Sequence, residues 1–188
     1  MCAESKTGRS LQIVALTGFM GAGKSSVGHA LAVLLGWAFV DLDHEIEARQ
    51  QRRIRDLFQT QGEPRFREIE AETLRTVLAQ LALPTVLALG GGTFIQQANI
   101  ELLRERGAQV VFLKAPMELL LQRCRLAAQP SAENLRPLAA NPDAFRALYA
   151  QRLAHYRCAD LTLDTRDMSF EQQAAAIVAG LRLAAGAR

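Results

Sequence analysis

The chain has 188 residues, 49% of them hydrophobic and 22% charged, which is enough to bury one sizeable core and ordinary for a globular protein. A net charge of +3 is too small to point to nucleic acid, and no apolar run approaches the ~18 residues of a membrane span. The three cysteines, Cys2, Cys124 and Cys158, lack metal-ligand spacing and read as free thiols of a reducing compartment.

The elements alternate. After a lead of ten residues expected to be disordered, "LQIVALTG" (11–18) reads as a strand, and "KSSVGHALAVLLG" (24–36) as a helix stopped by glycine. "AFVDLD" (38–43) is a second strand. Residues 44–80 are expected to hold helices with a turn at "TQGEPR", and "TVLALG" (85–90) a third strand. "QQANIELLRERG" (96–107) predicts a helix and "AQVVFL" (108–113) a strand. "PMELLLQRCRLAA" (116–128) predicts a helix opened by proline. A polar, proline-bearing stretch (129–142) is followed by a helix at 143–157, a strand "LTLD" (161–164) and an amphipathic helix at 169–185. Strands alternating with helices imply a parallel sheet covered on both faces, with ligands beyond the carboxyl ends of the strands. No apolar signal-like segment precedes the first strand, so a cytoplasmic location is expected.

The chemistry-bearing motifs all fall at such ends. Gly18 to Ser25, "GFMGAGKS", has the G-x-x-x-x-G-K-[ST] spacing between strand and helix. Backbone N–H groups of such a loop, and the helix N-terminus behind it, form a concave anion site. Lys24, one of only three lysines against 19 arginines, can reach the β- and γ-phosphates, and the Ser25 hydroxyl can ligate Mg²⁺. Asp41 and Asp43, two apart at a strand end, are expected on one side of the sheet or over its tip. They could orient hydrated Mg²⁺ and receive an acceptor's hydroxyl proton; Asp43 could equally cap the helix that follows. Arg67 and Glu70 stand at i, i+3, so the carboxylate could brace the arginine fork. Gly90, Gly91 and Gly92 end a strand where phosphate-handling proteins often carry an acid; without Cβ atoms they let a ligand meet the backbone. Arg136, in the polar stretch, could reach a transferring phosphoryl group.

In this order, "GFMGAGKSSVG", "FVDLD", "FREIE", "GGG", "RPL" and Arg152 with Tyr156 resemble the shikimate kinases, from about residue 11 to 185. The resemblance implies an α/β fold of three layers, with five parallel strands in order 2-3-1-4-5 between helices. It implies one kinase domain over 11–188 with a mobile lid inserted at about 126–140. The implied reaction moves the ATP γ-phosphoryl group to the 3-hydroxyl of shikimate, in aromatic amino acid biosynthesis. By the same resemblance Asp43 contacts that hydroxyl, and Arg67 and Arg152 hold the shikimate carboxylate with Glu70 positioning Arg67. Gly91 and Gly92 bind substrate, while Gly21, Ala22, Gly23, Lys24, Ser25 and Ser26 hold the nucleotide. Ser25, and Asp41 through water, serve Mg²⁺. Arg136 covers the phosphates, and Arg125 lies on the adenine opposite the loop near Arg166. Three departures stand out: a longer lid, Ala154 where the family has proline, and a shorter stretch after Tyr156. The chain is expected to act as a monomer without nucleic-acid or membrane partners. A kinase for gluconate or a nucleoside monophosphate, and a non-catalytic module of this type, remain open. A GTP switch is disfavoured because neither N-K-x-D nor D-x-x-G is present.

Overall fold

The structure, a computed structural model, describes residues 12–126 and 141–183. The lead, Cys2, most of the expected lid (with Arg136) and residues 184–188 lie outside the described residues. Strand β1 (Ile13–Thr17) is buried at every position, as a parallel strand flanked by neighbours and covered on both faces must be. It pairs in parallel with β3 (Thr85–Ala88) on one side and β4 (Gln109–Lys114) on the other, so that Ala15 faces Leu87 and Val110. Outside these lie β2 (Ala38–Asp41) and β5 (Leu161–Asp164), giving the order β2-β3-β1-β4-β5 that the resemblance implies.

Side-chain alternation along β1 splits the core in two. Val14 and Leu16 pack with α1 (Lys24–Leu35), α5 (Met117–Leu126), α6 (Pro142–Tyr156) and α7 (Phe170–Leu181), through residues such as Leu31, Leu120, Phe145 and Ile177. Ile13 and Ala15 pack with α2 (Leu42–Gln50), α3 (Ile54–Gln80) and α4 (Gln97–Glu105), through Ile46, Leu74 and Leu103. Helices thus cover both faces, and all five strands deliver their carboxyl ends to one edge.

Two strand ends differ from the sequence reading, and the expected turn at "TQGEPR" takes a specific form. The second strand ends at Asp41 rather than at residue 43, because the Asp41 carboxylate accepts from the N–H groups of Asp43 (3.0 Å) and His44 (3.4 Å) and so caps α2. Asp41, not Asp43, is the capping residue. The two aspartates therefore do not share a strand face: one sits at the strand tip and the other in the first helical turn. Next, the turn at "TQGEPR" is a break inside the long α3, where Gly62 adopts φ 78° and ψ 170° ahead of Pro64. Finally, the third strand stops at Ala88, and the glycines turn into a short 3-10 segment (Thr93–Ile95) held by Thr93 N–H donating to the Gly90 carbonyl at 3.2 Å.

Candidate active site

The loop after β1 meets α1 at Gly23, whose φ of 89° suits glycine and leaves the helix N-terminus without a side-chain cap. No acidic residue occupies the first turn of α1. Its N–H groups and dipole are thus directed at an anion rather than at the protein's own carboxylate. Lys24 Nζ donates to the carbonyls of Gly18 (3.0 Å) and Phe19 (3.2 Å), which holds the ammonium against the inner wall of the loop. Ser25 Oγ donates to Asp41 Oδ2. A hydroxyl and a carboxylate in contact beside an anion cradle form the kind of sparse oxygen set that Mg²⁺ uses when phosphates and waters complete its octahedron, so the residues present fit the metal.

A cavity of about 170 Å³ opens here, bordered by Met20, the Gly21–Ser26 loop, Asp41, Asp43, Leu89 and Gly91. The glycine turn forms its far wall, and each glycine there answers to a different neighbour. A Cβ on Gly90 would stand 2.7 Å from Asp43 Oδ1, 2.9 Å from Glu70 Oε1 and 3.0 Å from Thr93 Oγ1. One on Gly92 would meet the Arg67 guanidinium at 2.4–2.6 Å. At Gly91 the nearest atoms are at ordinary contact distance, with Met20 N at 3.7 Å and Arg152 Nη1 at 3.9 Å. A side chain at Gly90 or Gly92 therefore requires Asp43, Glu70, Thr93 or Arg67 to shift, whereas one at Gly91 does not. A methyl at Gly91 would fit among its neighbours, so the protein's own packing gives no reason for glycine there.

Arg67 and Arg152 flank this turn from two helices. Arg67, on α3, donates through Nη1 to Glu70 Oε2 (2.8 Å) and through Nη2 to Glu63 Oε1 (2.9 Å), over the rings of Phe58 and Phe66. Burial alone would lower its pKa, but the charge of Glu70 and the hydrogen bonds to Glu70 and Glu63 outweigh it, and the net direction is upward. Arg152, on α6, is buried, donates through Nη1 to the Gly91 carbonyl at 3.2 Å and lies over Phe19. Its Nε–H is buried with no acceptor among the described residues. Tyr156, one turn further along α6, donates its hydroxyl to the same Gly91 carbonyl at 2.5 Å. Burial pushes the Tyr156 phenol up to about 12, although the nearby Arg152 charge works the other way.

A family model described as shikimate kinase matches residues 20–182 of the chain. The chain belongs to the shikimate kinase family. A shikimate kinase of Nitrobacter winogradskyi is 42% identical over 165 residues, covering 87% of this chain and 72% of that protein. Another, of Geobacter sulfurreducens, is 42% identical over 161 residues, covering 84% of each. A solved structure, the shikimate kinase of Acinetobacter baumannii in complex with shikimate, superposes with a TM-score of 0.81 at 37% identity, over 92% of this chain and 94% of that one. Membership makes the chain an ATP-dependent phosphotransferase working with Mg²⁺.

Within this shikimate kinase fold, Lys24, Ser25, Asp41, Asp43, Gly91, Gly92, Arg67 and Arg152 all gather at one edge of the sheet. Arg125 is exposed near the end of α5, and Arg123 is half-buried with Nη1 3.3 Å from the Gly21 carbonyl. Residue spacing missed Thr93 and Glu63, and it singled out Gly90 without showing why a side chain is absent there. Gly90 accommodates the Asp43 and Glu70 carboxylates, Thr93 donates to Glu70 Oε1 at 2.7 Å, and Glu63 shares Arg67; of the last two only Glu63 had a signal, its i, i+4 spacing. A larger hollow of about 390 Å³ lies between α2 and α3, around Gln51, and none of these groups lines it. Two of its charged residues, Arg53 and Glu47, pair with each other at 3.8 Å. No helix among the described residues is long and apolar enough to cross a membrane.

Proposed function

We propose that this site transfers the γ-phosphoryl group of ATP to the 3-hydroxyl of shikimate, giving shikimate 3-phosphate and ADP. The observation that carries the reading is the convergence of Asp43, Arg67 and Arg152 on the Gly90–Gly92 turn, across the cavity from the phosphate loop. The loop N–H groups from Gly21 to Ser26 bind the polyphosphate, and Lys24 turns from the Gly18 and Phe19 carbonyls toward it. Ser25 and, through water, Asp41 would hold Mg²⁺, which would supply neutralisation of phosphate charge. The acceptor's carboxylate lies between Arg67 and Arg152, whose buried, undonated Nε–H favours an anion. The carbonyls of Gly90 and Gly91 are already hydrogen-bonded, so the turn offers ligand its N–H groups. Asp43 then accepts or orients the acceptor's hydroxyl proton. Of the two arginines near the end of α5, Arg123 is the better supported neighbour of the nucleotide because it already rests on the phosphate loop.

A coupled ADP-release assay with Mg²⁺, ATP and a panel of shikimate, gluconate and nucleoside monophosphates tests the acceptor. Saturable turnover on shikimate alone is expected, and preference for another acceptor refutes the assignment. Asp43→Asn should lower kcat with little change in acceptor KM; an intact kcat would remove Asp43 from the chemistry. We also take the enzyme to act as a cytoplasmic monomer without nucleic-acid or membrane partners, in keeping with its small net charge; sedimentation of the purified chain checks the first point.

A further inference from the structure

Glu70 is a carboxylate with only 1% of its side chain exposed, and such a group needs a donor for each oxygen. Arg67 supplies one, and Thr93 the other. Thr93 is itself fully buried and fixed through its backbone: its N–H donates to the Gly90 carbonyl, and its own carbonyl accepts from Asn99 Nδ2 at 3.1 Å. Its β-branched side chain is stiff at χ1, so the hydroxyl is presented in one place. Arg67 therefore has two unlike carboxylate partners. Glu63 is 61% exposed and holds Nε and Nη2, an interaction an incoming carboxylate can displace cheaply. Glu70 cannot exchange in this way, because its second oxygen is anchored.

We propose that Thr93 is a positioning residue for acceptor binding: its hydroxyl fixes Glu70, and through Glu70 it aims Arg67 across the glycine turn. The proposal rests on the reading of Arg67 as a carboxylate holder. It predicts that the hydroxyl matters and the methyl does not. Without the hydroxyl, Glu70 would rotate to satisfy both oxygens on Arg67, turning the fork away from the acceptor.

Thr93→Val, Thr93→Ser and Arg67→Ala should be compared in the ADP-release assay, with thermal melts of each. Thr93→Val should raise KM for shikimate about tenfold, the effect of losing one hydrogen bond to a charged group. KM for ATP and kcat at saturating shikimate should stay within about twofold. Thr93→Ser should restore shikimate KM to within about threefold of wild type, and this arm stands even if the valine variant folds poorly. An unchanged shikimate KM in Thr93→Val beside a raised one in Arg67→Ala overturns the role of Thr93 alone. Equal damage in the serine and valine variants, or parallel loss in both KM values and kcat, would mark Thr93 as structural and also overturn it. No rise in Arg67→Ala would bring down the carboxylate reading, and the proposal with it.

Discussion

Replacing Gly91 by alanine separates what the protein needs from what its ligand needs. The added methyl would sit 3.7 Å from Met20 N, 3.8 Å from the Gly18 carbonyl and 3.9 Å from Arg152 Nη1, all ordinary contacts. Gly91 is also not among the glycines with positive φ, so its backbone suits an L side chain. Folding should tolerate the change or gain about 0.4–1 kcal/mol from a less disordered unfolded chain. For a domain of this size that is a melting shift of roughly +1 to +4 °C. The same methyl fills the gap between the glycine turn and the phosphate loop, where acceptor and transferring group must meet. A displacement of about 1 Å there should cost about 100-fold in kcat/KM for shikimate. Gly92→Ala is the control. Its methyl collides with the Arg67 guanidinium at 2.4–2.6 Å, must disturb the 2.8 Å contact to buried Glu70, and should cost up to about 3 kcal/mol of stability as well as activity. Melting curves and the ADP-release assay read both quantities. If Gly91→Ala keeps kcat/KM within threefold of wild type, or melts as low as Gly92→Ala, the argument that a ligand occupies this gap is wrong.

Other consequences are equally direct. Tyr156→Phe removes the hydroxyl that holds the Gly91 carbonyl and should cost about 1 kcal/mol of stability, with kcat/KM for shikimate falling several-fold; an unchanged kcat/KM would mean that Arg152 alone holds the turn. Because the Tyr156 phenol is raised from 10.0 to about 12, the unfolded chain ionises first as pH rises. Stability present below pH 10 should therefore decline by roughly 2–3 kcal/mol between pH 10 and 12. Urea melts of wild type against Tyr156→Phe isolate this contribution, which the phenylalanine variant should lack. Glu63→Gln weakens the exposed competitor for Arg67 and should lower shikimate KM by about two- to threefold at low salt, with the difference shrinking at 1 M salt. Ser25→Ala should raise the Mg²⁺ concentration needed for half-maximal rate by about tenfold while leaving shikimate KM near its normal value.

The alternation of apolar runs with helical periodicity already determined the layers of this protein, because a strand buried on both faces, such as β1, must be apolar throughout. The phosphate loop was legible for a similar reason: glycines, a lysine and a hydroxyl at fixed spacing act within one local turn. Strand order came from the family resemblance, since nothing local to a strand names its neighbour. Other features depended on distant partners. That Asp41 caps α2 and Asp43 rides its first turn follows from two backbone N–H groups curling back onto one carboxylate. A two-residue spacing cannot distinguish that from a continued strand. The reason for three consecutive glycines was likewise invisible in the chain order. Gly90 yields to Asp43, Glu70 and Thr93, and Gly92 to Arg67, while at Gly91 no atom of the described residues comes nearer than 3.7 Å to a Cβ. Only packing α2, α3 and α6 against the same strand end brings those side chains to within 3 Å or 4 Å of adjacent residues. Steric exclusion of that kind belongs to the assembled site and not to any stretch of sequence.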